Sequence, residues 1–177
     1  MELINILILV SAVLLILLLW IIVGVRHFKR LKKEIIRQWE ILNESLRKRQ
    51  DLLPNLIETV REYDQRQEEL LEEMIKERTR AAKEYRPGAE KMEFEHDLSR
   101  TINEVLNLGK KIKPLGTDTN FLELRKEIED VEQSIEQKSK RYNKMVRGYN
   151  NQRKNILLRP LAAIFGFKVI NIFEVEV

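Results

Sequence analysis

The chain has 177 residues, 44% apolar and 34% charged, with a net charge of +4, enough for about one domain with a real core. It contains no cysteine, which excludes disulfides, thiolate metal sites and cysteine nucleophiles, and only two histidines, His27 and His96. All 32 lysines and arginines lie at or after Arg26, mixed with every acidic residue except Glu2. So mixed a surface suits solubility and argues against a nucleic-acid partner, which calls for a concentrated basic face.

Leu3 to Val25 is an uncharged run broken only by Asn5, Ser11 and Gly24. As a helix it would extend about 35 Å, enough to cross a hydrocarbon core of about 30 Å. A cleaved signal peptide would need basic residues where Glu2 stands and a shorter apolar stretch. Residues 1–25 are therefore expected to be a retained transmembrane anchor, with Trp20 near one interface. Arg26, Lys29, Arg30, Lys32 and Lys33 follow, with His27 and no acid, so residues 26–37 read as a basic juxtamembrane collar. The positive-inside rule places the rest of the chain in the cytoplasm and the N-terminus outside, single-pass in the cell membrane. The collar also offers a surface to anionic headgroups.

Residues 38–159 carry the pattern of a helical bundle. Apolar positions alternate spacings of three and four from Trp39 through Leu42, Leu46, Leu53, Leu56, Val60, Tyr63 and Leu70 to Met74, with Arg49 and Gln67 the polar exceptions. This is a heptad seam of coiled-coil type. Pro54 lies inside it and lacks an amide donor, which predicts a bend near Gln50 in one long rod. The expected end of that rod is Arg86-Pro87-Gly88. A second helix is expected from about Ala89 to Leu108, presenting Phe94, Leu98, Ile102 and Val105, then a loop of about ten residues marked by Gly109, Pro114 and Gly116. Asp118 or Thr119 offers the next N-cap.

A second seam runs from Phe121 through Leu124, Ile128, Val131, Ile135, Tyr142, Met145 and Tyr149 to Ile156, with Lys138 and Gln152 the exceptions. Acids crowd the start of this helix and bases its end, which complements the helix dipole. Pro160 limits it. Residues 160–177 form an apolar tail, expected to dock on the bundle or a partner, and Phe173 to Val177 alternates as an extended strand would. The fold class expected is all-α: a transmembrane helix followed by an antiparallel three- to four-helix bundle.

Glu93 and His96 have the Glu-x-x-His spacing of di-iron bundles, but such sites need a second pair and two more carboxylates. His27 is the only other histidine and sits beside the membrane run. No Gly-rich phosphate loop, nucleophile elbow or HExxH pattern occurs. No catalytic, cofactor or metal residue is assigned. Tyr142-Asn143 and Tyr149-Asn150 recur seven residues apart, and Arg49, Asp51, Pro54 and Asn55 form a polar group on the first rod. Together they read as a layer that either fixes register or presents a partner site.

The run Leu46 to Val60, with Arg47-Lys48-Arg49-Gln50-Asp51-Leu52-Leu53-Pro54-Asn55 at its centre, resembles the hallmark of the LemA family. So do Asn120-Phe121-Leu122-Glu123-Leu124, Arg141-Tyr142-Asn143, Val146, Tyr149-Asn150, Phe165-Gly166-Phe167-Lys168 and Phe173-Glu174. That resemblance covers about Gln38 to Glu174 and is weakest from Arg86 to Asn107. It implies a bacterial single-pass membrane protein with an antiparallel helical bundle, some members being tied to membrane organelle formation and envelope organisation. It carries over no catalytic residue. The expected function is a non-catalytic, self-assembling cytoplasmic scaffold anchored in the envelope. Its expected partners are the lipid bilayer, further copies of itself and other envelope proteins. A lipid-sensing or membrane-remodelling protein working through the collar is the alternative, and a metal-dependent enzyme a distant third.

Overall fold

Three- and four-residue apolar spacing with few glycines favours long helices, and the computed structural model, which describes residues 1–174, is built almost entirely of them. In chain order they are α1 (Glu2–Tyr63), a 3-10 turn (Gln65–Gln67), α2 (Glu68–Lys83), α3 (Ala89–Lys111), α4 (Lys113–Gly116), α5 (Thr119–Lys154) and α6 (Arg159–Ile164). Among the described residues there is no strand. Residues fall into two compact units, Met1–Arg37 with Lys144–Ile170, and Gln38–Asn143 with Asn171–Val177.

The larger unit is a four-helix bundle. Arg61 pairs with Glu68 and Arg78 with the Gln50 carbonyl, so α2 runs antiparallel to α1. Arg80 meets Asp97 and Arg100 meets Glu73, which turns α3 back along α2. Tyr63 with Asp118, Asn120 with Thr59 and Ser45 with Ser134 set α5 antiparallel to α1. Leu53, Leu56, Val60, Leu71, Met74, Leu98, Ile102, Val105, Phe121 and Ile128 fill the interior between the four.

Several boundaries differ from the sequence reading. Helix α1 stays helical through Pro54, but the rod ends at Tyr63 rather than at Arg86. Asp64 accepts from the Arg66 amide and side chain and from Gln67, closing a 3-10 turn that reverses the chain. The heptad phase breaks at this reversal: Tyr63 is 38% exposed, and α2 buries Leu71, with Leu70 only partly buried, before Met74 returns to the seam. Gly109 is helical and Lys113–Gly116 adds a short helix, so the predicted ten-residue loop is mostly wound. Their glycines permit close approach: a Cβ on Gly109 would strike the Phe121 ring, and one on Gly116 the Gly109 carbonyl. Asp118 is the N-cap of α5, its carboxylate accepting from the Phe121 amide at 2.7 Å.

The second seam drifts. Tyr142 and Tyr149 are buried as read, but Val146 is buried in place of Met145, which is 38% exposed. A straight helix of 3.6 residues per turn slips past a 3.5-residue repeat, which accounts for the change. Gln152 is exposed on the last turn of α5, and Ile156 is 86% exposed because α5 has ended at Lys154. Pro160 begins α6 rather than ending α5.

In the smaller unit, the Leu3 to Val23 stretch of α1 is exposed at nearly every apolar side chain. It is long and apolar enough to cross a membrane. Phe28 is buried between the stacked Phe167 ring at 4.8 Å and the edge of Tyr149 at 5.9 Å. Helix α6 closes with Gly166 at φ 67° and a Phe167 amide bond to the Ala162 carbonyl, a Schellman turn that needs glycine at this position. The predicted strand is not seen at Phe173 and Glu174, which have no regular structure; Val175 to Val177 lie outside the described residues.

Candidate functional site

Arg49, the polar exception in the first seam, is completely buried in the larger unit. Its guanidinium donates to Ser99 Oγ at 2.7 Å and pairs with the Glu95 carboxylate, which is also 0% exposed. Lys91 bonds the other Glu95 oxygen at 2.7 Å and the Ala81 carbonyl at 2.6 Å, and Gln50 adds a bond to Glu95 at 3.1 Å. Glu132 lies 3.7 Å from the guanidinium. Two cations and two carboxylates thus neutralise one another inside the core, as buried charges require. The match has a gap: Arg49 Nε and Glu132 Oε1 have no hydrogen-bond partner. Burial pushes the Glu132 carboxyl above its usual range, Arg49 opposes this, and Glu129 adds to it.

Lys91, Glu95 and Glu132 were missed from sequence. The α3 seam, stepped backward from Leu98 by three and four, falls on Glu95 and Lys91, and that phase was the available signal. Phe94, read as a seam residue, is half-buried under the Arg80 guanidinium, 4.4 Å from its ring centroid.

A second constellation lies on α5 in the same unit. Asn143 is bidentate toward the chain's own C-terminal segment: its Nδ2 donates to the Phe173 carbonyl at 2.8 Å, and its Oδ1 accepts from the Phe173 amide at 2.7 Å. Ser139 Oγ also donates to the Phe173 carbonyl. The Phe173 ring stands edge-on to Trp39 at 5.1 Å, Trp39 meets Tyr142 at 5.6 Å, and the Trp39 indole donates to the Tyr85 carbonyl. This is an aromatic socket with a main-chain clamp, filled by Phe173. Burial pushes the Tyr142 hydroxyl up to about 12.

Within the smaller unit the repeat does similar work. Asn150 is bidentate to the amide and carbonyl of Ile170, Tyr149 donates to the Lys168 carbonyl, and Arg153 donates to that of Phe167. The two Tyr-Asn pairs therefore hold an extended backbone, a role that seven-residue spacing alone left open.

The remaining sequence candidates lie elsewhere. Pro54 and Asn55 are exposed on α1. Asp51 lines an open groove of about 420 Å³ with Lys48, Leu52, Glu127, Asp130 and Val131. Arg26, Lys29, Arg30, Lys32 and Lys33 are all exposed. So are Glu93 and His96, and among the described residues no group of three or more histidines and carboxylates is placed to hold a metal ion.

The buried arginine, the proline beside it and the paired Tyr-Asn steps all fall within residues 38–177, which match the sequence model described as the LemA family. The chain belongs to the LemA family. No curated protein matches it. From its matched residues this LemA family chain builds an internally neutralised charge cluster and a clamp for its own tail. Neither presents a reactive group to an open cleft.

Proposed function

We propose that this protein is a non-catalytic helical scaffold, anchored in the cell membrane by residues 1–25 and self-assembling, with its bundle in the cytoplasm. The carrying observation is the exposed apolar face of α1 from Leu3 to Val23, followed at once by five exposed basic residues. So large an exposed apolar surface calls for lipid around it, and the collar orients it by the positive-inside rule. Arg49, Glu95 and Lys91 are closed off from solvent, which suits a structural role for that cluster.

Two measurements test this reading. Lys83 is exposed at the end of α2, is followed by Glu84 rather than proline, and offers a trypsin site. It should resist trypsin in sealed cells and be cut in inverted vesicles; the reverse pattern would overturn the orientation. A detergent-extracted complex should be a defined oligomer, and a monomer at all concentrations would overturn self-assembly.

A lipid-sensing role through the collar is the second reading. It is favoured by a shallow groove of about 270 Å³ where Val23 meets Arg26, His27 and Arg30. Under it, changing the collar cations to glutamine should abolish a response to anionic lipid while assembly persists.

A further inference from the structure

The turn between α5 and α6 combines features that neither the bundle nor the anchor requires. Ile156, Leu157, Ile164 and Phe165 are exposed by 86%, 67%, 76% and 47%. Beside them Arg153, Lys154 and Arg159 line a cavity of about 360 Å³ whose remaining wall is Ala162 and Ala163. Soluble surfaces rarely gather four large exposed apolar side chains around a cationic hollow.

The position of this turn is fixed. Leu161 and Leu158 pack against Gly24, where even a Cβ would strike the Leu161 side chain. Gly24 and Val25 end the uncharged run, and Arg26 begins the collar. The α5–α6 turn therefore sits level with the end of the apolar stretch. At that depth a peptide meets headgroups and the upper acyl chains, and apolar side chains ringed by lysine and arginine are the composition that settles there.

We propose that the α5–α6 turn is a second membrane contact, lying in the interface beside the span, with the Arg153–Lys154–Arg159 cavity taking the phosphate of an anionic phospholipid. Ile156, Leu157, Ile164 and Phe165 enter the acyl boundary. Arg153 is aligned by its Nε bond to the Phe167 carbonyl at 2.6 Å, which ties the cavity to the segment after α6. This inference rests on residues 1–25 being the anchor.

The chain has no cysteine, so single spin labels can be placed cleanly. Full-length Leu14→Cys, Leu157→Cys and Lys126→Cys variants are labelled, reconstituted in vesicles and compared for accessibility to oxygen and to a water-soluble nickel complex. Leu14 reports the anchor, Leu157 the turn and Lys126 an aqueous position. The expected result is lipid-like accessibility at Leu14, interfacial accessibility at Leu157 and aqueous accessibility at Lys126. Leu157 as aqueous as Lys126 while Leu14 is lipid-like would overturn the proposal and leave the anchor intact. An aqueous Leu14 would overturn the anchor and this proposal with it.

The cavity is tested by vesicle composition. Adding phosphatidylglycerol to phosphatidylcholine should lower nickel accessibility at Leu157 several-fold, and Lys154→Gln with Arg159→Gln should erase that response. An unchanged response in the double variant would overturn the headgroup assignment. So would an equal effect of inorganic phosphate on phosphatidylcholine vesicles.

Discussion

Arg78 Nε donates to the Gln50 carbonyl at 2.7 Å, the carbonyl that faces Pro54 one turn on and receives no amide from it. A proline inside a helix leaves the oxygen four residues back without a donor. Here a guanidinium on the neighbouring helix supplies it. Arg78→Leu should therefore destabilise the bundle by about 1–3 kcal/mol in denaturant melts, the cost of an orphaned acceptor. Pro54→Ala restores the amide, so in that background Arg78→Leu should cost less than half as much. A double-mutant cycle with no coupling would show that the contact does not serve the proline.

The buried charges give opposite expectations for their members. Arg49→Met leaves Glu132 without a counter-ion and takes from Glu95 one of its two cations, and should cost about 3–5 kcal/mol. Glu132 behaves differently, because burial raises its pKa above the ordinary 4.5. Its contribution is most favourable below that value and is lost as pH rises through the raised pKa. Glu132→Gln should thus gain stability relative to the parent as pH rises from 4.5. A difference independent of pH would contradict this.

Asp64 titrates in the other direction. Bonds from Arg66 first, then from the Gln67 side chain, hold its carboxyl down at about 2. The stability it confers is present above its ordinary value of 3.8 and disappears as pH falls toward 2. Asp64→Asn should therefore be less stable than the parent at pH 5, the gap narrowing as pH falls from 3.8 through about 2. Circular-dichroism melts across that range are the check.

Phe173→Ala empties the aromatic socket and should cost about 3–5 kcal/mol where its segment melts with the bundle. Asn143→Leu removes both bonds to the Phe173 backbone and should cost about 1–3 kcal/mol. In either variant Trp39 emission should shift to the red as water reaches the ring. Trp20→Phe variants provide the clean background, and unchanged emission would deny the socket.

The helices were legible because apolar spacing dictates which face is buried, and Leu42, Leu56, Ile102 and Ile135 are all buried where the seams placed them. The reversal at Asp64 was not, because Gln65-Arg66-Gln67 contains neither glycine nor proline and its capping bonds form only once the chain has turned. Arg49 stood out as a polar break in the seam, yet its partners lie on α3 and α5; the α3 phase reaches Glu95 and Lys91, but no spacing in the sequence pairs them with Arg49 or Glu132. The Tyr-Asn repeat was visible for the same reason that its role was hidden. Asparagine recognises main chain, and main chain has no sequence signature.

The Phe173 socket also has a timetable. Trp39 and Tyr142 close around a residue made long after the first of them. At about 5–20 residues per second, on the order of ten seconds separate the emergence of Trp39 from that of Phe173. For roughly the last quarter of that interval, after Tyr142 is made, Trp39 and Tyr142 leave one flank of the nascent bundle an open aromatic surface. A chain stalled or clipped before Phe173 would keep it so, and quality-control proteases that read exposed aromatic surface would have a feature by which to tell the unfinished protein from the finished one.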